Sequence, residues 1–213
     1  MKFVRLSPFF VIIIIAASWL SKTGAWKNNK AVVSPEETIK QPLHVSADNK
    51  LKERAASVKS FLLRKGYNNE ICFFIDMSLP SGQNRFFIYD LQKDSLRSRG
   101  LVAHGNCFEN WLEGRKYSNT VGSGCTSLGK YRIGIHYYGK FGYSYKLHGL
   151  DNSNNNAFER TVVLHAHSCI PETEIGEEIC QSNGCPTVSP GFLEQLKKII
   201  NASKKPVMLW VYD

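Results

Sequence analysis

The sequence predicts a mainly β domain, a sandwich or barrel, with one helix packed ahead of it and one helix near its end. Three observations predict this class. Short runs of β-branched and aromatic residues recur between turn formers from about residue 70 onward. Apolar residues follow helical spacing in only two segments. The chain, 213 residues long and 43% hydrophobic, can bury the core of one such domain.

The N-terminal residues carry the pattern of an export signal. Lys2 and Arg5 precede an apolar run from Phe9 to Leu20, and the small residues of Thr23-Gly24-Ala25 follow it. The run is shorter than the roughly 20 residues that span a bilayer. Residues 1–25 are therefore predicted to be a signal peptide, with an uncleaved N-terminal membrane anchor as the alternative. Either outcome places the protein in the periplasm or cell envelope.

The first predicted helix covers residues 47–65. Leu51, Ala55, Val58 and Leu62 recur at helical spacing, with Asp48 as the expected cap and Gly66 as the expected end. Residues 26–46 are polar and are predicted to be a linker. The domain itself is expected to span residues 47–213.

Strands are expected to dominate the rest of the domain. A turn at residues 81–84 predicts a hairpin between the first two strands. Residues 190–200 form the second predicted helix, with a proline at its start and its apolar residues on one side. The predicted strands are residues 71–75, 85–90, 101–104, 131–138, 144–148, 161–164 and 207–212.

The net charge favours an anionic partner over a nucleic acid. It is +9, and removal of residues 1–25 takes away three basic residues and no acid. A mildly basic exported protein suits a cell-wall polymer or a membrane surface. No dense basic stripe with interleaved aromatic residues is present, so no nucleic-acid partner is predicted.

Six cysteines in an exported chain indicate disulfides. The chain is large enough to fold without them. We expect four or fewer cysteines in bridges and one thiol kept free for chemistry, with the pairing left open. The cysteines are Cys72, Cys107, Cys125, Cys169, Cys180 and Cys185.

Two segments combine the residues of a thiol active site. The strand that ends near Leu164 delivers His165 and His167, which face the same way if the strand continues. Cys185 lies in Ser182-Asn183-Gly184-Cys185-Pro186. An imidazole can take the proton of a thiol and so make it nucleophilic.

The residues around the cysteine suggest supporting roles. We expect Gly184 to let a substrate approach the backbone, and amides near Gly184 and Cys185 to face a developing oxyanion. Ser182 or a main-chain carbonyl is expected to orient the imidazole. Zinc binding by the histidines and cysteines is the alternative, but their spacing fits no standard finger, so no metal is predicted.

Several ordered motifs resemble the murein-specific branch of the L,D-transpeptidase catalytic-domain family. The likeness covers roughly residues 70–213. Its most specific parts are Val163-Leu164-His165-Ala166 and the segment 182–186, in which Asn183 replaces the histidine of the commoner signature. The other motifs are residues 102–106, 117–119, 122–123, 126–131, 139–144, 147–150 and 155–157 with Arg160.

The resemblance implies an enzyme that acts on peptidoglycan stem peptides through a cysteine thioester, passed to an amine or to water, without a metal or organic cofactor. It implies catalytic roles for Cys185 and for His165, or His167 as the alternative base, supported by Ser182 and Gly184. The expected substrate contacts are Asn183, Tyr143, Tyr145, His148 and His104. The competing hypotheses are a non-catalytic, disulfide-stabilised envelope binding module and a general thiol peptidase.

Overall fold

The computed structural model describes residues 35–213, and side chains from residue 47 onward. The predicted signal peptide or anchor at residues 1–25 lies outside the described residues. Within them, no helix is both long enough and apolar enough to cross a membrane. The elements in chain order are α1 Pro35–Lys65, β1 Ile71–Asp76, β2 Phe86–Asp90, β3 Ser95–Gly100, β4 Val102–Ala103, β5 Gly129–Gly139, β6 Gly142–Gly149, β7 Val163–Ala166, β8 Thr187–Val188, α2 Pro190–Ala202 and β9 Met208–Tyr212.

These nine strands form one sheet in the order β3-β2-β1-β9-β5-β6-β7-β8-β4. Neighbours are antiparallel except for two parallel pairs, β1 with β9 and β7 with β8. The two end strands, β3 and β4, follow one another in the chain with only Leu101 between them. The sheet therefore curls into a nearly closed barrel, which confirms the predicted mainly β class.

The two helices cover apolar surface on the sheet. Alternate residues of β1, such as Phe73 and Ile75, join the main core, which α2 completes with Leu196. Leu51 of α1 and Phe74 of β1 belong to a second cluster, so α1 packs against β1. The prediction that the first helix packs on the domain is confirmed.

The first helix is longer than predicted. It begins at Pro35, so residues 35–46 of the expected linker are helical. Asp48 lies inside the helix and is not its cap. Gly66 ends the helix as predicted: its φ of +69° is a left-handed conformation that glycine adopts without strain, and Tyr67 N donates to Leu62 O at 3.0 Å.

Two strands were not predicted. β3 has the sequence Ser-Leu-Arg-Ser-Arg-Gly and lies at an end of the sheet, where polar side chains remain largely accessible. β8 contains only Thr187 and Val188, but it pairs with both β7 and β4 and sets the geometry of the site.

Candidate active site

His165 is held by hydrogen bonds at both ring nitrogens. Nδ1 lies 3.0 Å from the Ala166 carbonyl oxygen, and Nε2 lies 3.0 Å from the Thr187 hydroxyl oxygen. Because a carbonyl only accepts, Nδ1 carries the hydrogen, and in the neutral ring Nε2 must then accept from Thr187. This tautomer places the basic lone pair of the imidazole on the β8 side of the ring.

The surroundings of His165 keep its ring neutral. Its exposed fraction is 4%, and the Phe141 ring stacks on it with 4.3 Å between ring centroids. Burial lowers the His165 pKa below that of an ordinary imidazole; the Ala166 carbonyl acts in the opposite direction, and His167 lowers it further. His165 is therefore an unprotonated base near neutral pH.

The turn that carries Cys185 is fixed by Ser182. The Ser182 hydroxyl donates to the Cys185 carbonyl oxygen at 2.7 Å and accepts from the Gly184 N–H at 3.1 Å. Ser182 N also donates to His104 O at 2.8 Å, and Asn106 N donates to Ser182 O at 2.7 Å. Ser182 thus shapes the turn of residues 182–186, whereas the Ala166 carbonyl orients the imidazole.

The neighbouring backbone leaves no room for a side chain at Gly184. Its φ is +103°, and a Cβ atom there would lie 2.7 Å from the Cys125 carbonyl oxygen. Any side chain would be strained and would push the turn away from residue 125. Close contact between two segments of the chain is thus one reason for glycine at this position, and the expected access for a substrate stays a prediction.

Cys185 is a free, partly buried thiol beside β7. Burial raises its pKa, while the Val163 N–H and the Arg160 guanidinium act to lower it. The thiol is therefore protonated near neutral pH. A neutral thiol and a neutral imidazole suit general-base activation of the nucleophile, rather than a resting thiolate–imidazolium pair.

Four cysteines form two disulfides, Cys107–Cys125 and Cys169–Cys180, while Cys72 and Cys185 are unbridged. This agrees with the expectation of at most four bridged cysteines and a free thiol. The first bridge ties the segment after β4 to the loop that contacts Gly184. The second closes the loop between His167 and the turn of residues 182–186.

A cleft of about 200 Å³ brings several of the predicted residues together. Cys185, His165 and Thr187 line it, and the Cys169–Cys180 bridge borders it. His167, Ser182 and Asn183 line it as well, with His167 and Asn183 exposed to solvent. In the described part of the chain, no three His, Cys, Asp or Glu residues are grouped to hold a metal ion.

Three of the expected substrate contacts lie elsewhere. His104 has an exposed fraction of 1%, accepts from Arg85 Nη2 at 3.0 Å, and has its pKa lowered to about 4 by burial and by the nearby arginines. Ser144 pairs with His165, so Tyr143 and Tyr145 point to the opposite face of β6. Tyr145 is buried to the same degree as His104. His104, Tyr143 and Tyr145 are thus not among the residues that line the cleft, and their contact with a substrate stays a prediction.

His148 lies outside the cleft, and His167, the alternative base, lies at its exposed side. His148 is on the same face of β6 as Ser144 but four residues further along, where it stacks on Phe158 outside the cleft lining. His167 lies beyond the end of β7, and its Nδ1 accepts from Cys169 N at 3.1 Å. His167 thus lines the cleft, but only one of its ring nitrogens has a hydrogen-bond partner among the described residues, whereas both nitrogens of His165 have one.

Thr187 and Phe141 were not predicted to lie beside His165, and the contacts of Arg160 with the loop of residues 118–127 were not predicted either. Thr187 follows Cys185 by two residues, so alternation along an extended segment was a usable signal. Phe141 lies in the turn between β5 and β6 with an exposed fraction of 42%, and nothing in the sequence pairs it with His165. Arg160 belongs to one of the motifs that resemble the family, but its hydrogen-bond partners are distant in sequence.

The geometry agrees with a family comparison. A sequence model described as the L,D-transpeptidase catalytic domain matches residues 45–212, and the chain belongs to that family. No curated protein matches the chain.

Solved structures resemble the chain in fold alone. An L,D-transpeptidase from Mycobacterium smegmatis is 9% identical, with 68% of this chain and 59% of that chain covered and a TM-score of 0.39. The helical cell shape determining protein Pgp2 of Campylobacter jejuni (K307A mutant) is 11% identical, with 67% and 47% covered and a TM-score of 0.43. An L,D-transpeptidase from Xylanimonas cellulosilytica is 16% identical, with 72% and 68% covered and a TM-score of 0.37. The present chain thus spans well under two thirds of the first two chains.

We expect a thiol reagent to label one cysteine in the native protein and two in the denatured protein. Cys185 lines an open cleft, whereas Cys72 has no exposed surface and burial raises its pKa strongly. The measurement is titration with a chromogenic disulfide under non-reducing conditions, and Cys185→Ser should lower both counts by one. A denatured count that does not fall in Cys185→Ser would show that Cys185 is bridged, as the binding-module hypothesis requires, because its replacement would free the partner thiol.

Proposed function

We propose that the protein is an exported peptidoglycan L,D-transpeptidase in which Cys185 forms a thioester with a stem peptide and His165 is its general base. One observation carries the proposal: an unbridged thiol and a neutral, buried imidazole line one cleft on adjoining segments of the barrel. The family membership of the chain supports the same chemistry.

The first half-reaction begins with proton transfer from the Cys185 thiol to His165 Nε2. In the resting site Nε2 accepts from the Thr187 hydroxyl, which has a second acceptor, the Cys185 carbonyl oxygen, at 3.3 Å. Rotation of that hydroxyl to the carbonyl frees the lone pair of Nε2. The Ala166 carbonyl then stabilises the imidazolium through Nδ1–H.

The thiolate attacks the carbonyl carbon of the third stem residue, and a tetrahedral oxyanion forms. The Gly184 N–H is already donated to Ser182 Oγ, which leaves the Cys185 N–H as the nearby amide able to donate to this oxyanion. The bond to the terminal D-alanine then breaks, and the Nε2 proton moves to the departing amine. The products are a Cys185 thioester and free D-alanine.

The second half-reaction resolves the thioester. An amine of another stem peptide gives up a proton to Nε2 and attacks the thioester carbonyl, which forms the cross-link and returns the thiol. Water in the same position gives L,D-carboxypeptidase action. The open side of the cleft at His167 and Asn183 is the proposed entry for either acceptor.

Two features support action outside the cytoplasm. Disulfides persist in oxidising compartments, and the domain contains two. The basic net charge favours association with an anionic wall polymer.

The test is incubation of the protein with tetrapeptide-bearing muropeptides under conditions that keep Cys185 reduced, followed by mass spectrometry of the products. We expect release of D-alanine, with cross-linked dimers if an amine is the acceptor and tripeptides if water is. A protein that cleaves unrelated polypeptides and leaves muropeptides intact would be a general thiol peptidase. A protein that binds muropeptides unchanged would be a binding module.

We expect Thr187→Val to lower the rate of D-alanine release about tenfold, less than the roughly 10²–10⁴-fold that general acid–base catalysis itself contributes. Valine preserves the shape of threonine but removes the hydroxyl that bonds Nε2 and the Cys185 carbonyl. Thr187→Ser retains the hydroxyl and is expected to remain within about threefold of the wild-type rate. Equal rates for all three proteins would remove Thr187 from the mechanism.

A further inference from the structure

Arg160 is bonded to the loop of residues 118–127, which lies against the nucleophile turn, residues 182–186. Its Nη1 donates to Ser118 O at 2.8 Å and to Ser127 Oγ at 2.9 Å. Its Nη2 donates to Cys125 O and, at 3.3 Å, to Ser123 Oγ. The guanidinium is thus fixed against the loop 118–127, which also contacts the nucleophile turn.

The same guanidinium adjoins the residue before the nucleophile. A Cβ atom on Gly184 would lie 3.4 Å from Arg160 Nη2. All four hydrogen-bond acceptors of Arg160 are uncharged, and in the described chain no carboxylate forms a salt bridge with it. A half-buried cation without an anionic partner is costly, and that cost falls when an anion forms beside it.

Two groups close to Arg160 can become anions, Tyr131 and Cys185. Burial raises the pKa of Tyr131 to about 12, so its phenol stays neutral at working pH. Its hydroxyl is also bonded to Ser127, with 2.6 Å to the carbonyl oxygen. Cys185 is therefore the group beside Arg160 that can acquire negative charge during a reaction.

The backbone after Arg160 is held in a strained conformation. Thr161 has a φ of +55°, a left-handed value that a β-branched residue rarely adopts. The turn at Thr161 joins Arg160, directed to the loop 118–127, to β7, which carries Val163 and His165. Such strain persists where the surrounding structure requires a particular placement of side chains.

From these contacts we propose that Arg160 is a positioning residue whose charge stabilises the thiolate of Cys185 as the thiol proton moves to His165 Nε2. The proton and the negative charge then have separate partners: the imidazole holds the proton, and the guanidinium beside Gly184 supplies the positive charge that acts on the thiolate. The proposal rests on Cys185 being the nucleophile of the proposed function, but it concerns the thiol itself and needs no substrate.

Other groups around the thiol do not provide this charge. β7 offers the Val163 N–H and the neutral His165, β8 offers the Thr187 hydroxyl, and β5 offers the neutral Tyr131. Burial raises the Cys185 pKa, and Arg160 and the Val163 N–H oppose that rise. Loss of the Arg160 charge therefore raises the pKa further, and the fraction of thiolate at a given pH falls.

The experiment measures the rate of Cys185 alkylation by iodoacetamide from pH 6 to pH 11, with no muropeptide present. Arg160→Gln is expected to move the midpoint of the profile upward by about one pH unit, so the rate at pH 8 falls about tenfold. Arg160→Lys retains the charge and is expected to restore most of that rate. Arg132→Gln is the matched control, because Arg132 is a partly buried arginine on β5 that is not among the groups affecting the thiol, and its profile should match the wild type.

A second variant tests the charge of Arg160 even if Arg160→Gln does not fold. Ser123 accepts from Nη2 on a partly exposed loop, so Ser123→Asp keeps the arginine and supplies an anion to pair with it. We expect Ser123→Asp to raise the alkylation midpoint as Arg160→Gln does, with a thermal midpoint close to that of the wild type. Unshifted profiles in folded Arg160→Gln or in Ser123→Asp would overturn the proposal and leave Arg160 as a clamp on the loop. Shifted profiles in a protein without muropeptide activity would contradict the proposed function alone.

Discussion

Cys185→Ala is expected to lower D-alanine release from tetrapeptide muropeptides by at least about 10⁴-fold, the scale seen when a nucleophile is removed from a catalytic set. The proposed reaction proceeds through a bond to the Cys185 sulfur, and we expect no other described side chain in the cleft to replace it. Thr187 and Ser182 are the nearest hydroxyls in sequence, but Thr187 is bonded to His165 Nε2 and the Cys185 carbonyl, and Ser182 donates to the Cys185 carbonyl and stabilises the turn. The measurement is the initial rate of D-alanine release by chromatography.

The control is the other unbridged cysteine. Cys72 has no exposed surface and its Sγ lies 3.5 Å from Met208 O, so Cys72→Ala tests thiol loss in the core. We expect it to cost about 1–2 kcal/mol of unfolding free energy and to leave the rate within about twofold. Circular dichroism and thermal unfolding establish that Cys185→Ala is folded. Substantial D-alanine release by folded Cys185→Ala would contradict the thioester mechanism.

His165→Asn is expected to lower the rate of D-alanine release by about 10³-fold at pH 7, within the range for loss of a general base. The wild-type rate should also depend on pH in a defined sense. Protonation of Nε2 inactivates the base, and burial lowers the His165 pKa, so the acid limb lies below the 6.5 of an ordinary imidazole. In His165→Asn that limb should disappear, and the residual rate should rise with pH as the thiolate forms without a base.

His167→Asn is the matched comparison for the identity of the base. Both rings line the cleft, but only His165 has a partner at each nitrogen and the stacked Phe141 ring. We expect His167→Asn to retain at least about a third of the wild-type rate. A large loss in His167→Asn together with a small loss in His165→Asn would assign the base to His167.

The sequence was sufficient for the fold class because hydrophobic alternation and turn formers mark most of the strands. The runs at residues 71–75 and 207–212 became β1 and β9, although nothing local indicated that they pair in parallel. β3 and β8 were missed for different reasons. β3 has no apolar alternation, and β8 is too short for any periodic signal.

The part of the candidate site that consists of residues close together in sequence was predictable. The spacing of His165 and the turn of Cys185 were recognisable, and both residues line the cleft. The faces of β6 were not recognisable, because alternation defines two faces without saying which one is buried. Tyr143 and Tyr145 were therefore assigned to the substrate, whereas Ser144 shares the face of His165.

Contacts distant in sequence account for the rest. Gly184 depends on the Cys125 carbonyl, and Arg160 depends on acceptors 33 to 42 residues earlier in the chain. Phe141 reaches His165 because the turn after β5 folds over β7. Such contacts follow from the register of the sheet, which composition and periodicity do not determine.

The thioester itself provides the most direct test. The reduced protein is mixed with a tetrapeptide muropeptide, quenched in acid within seconds, and analysed by intact and peptide mass spectrometry. We expect an adduct whose mass is that of the muropeptide minus D-alanine, located on the peptide that contains Cys185 and released by hydroxylamine. Release of D-alanine with no adduct at Cys185, or with an adduct on another residue, would contradict it.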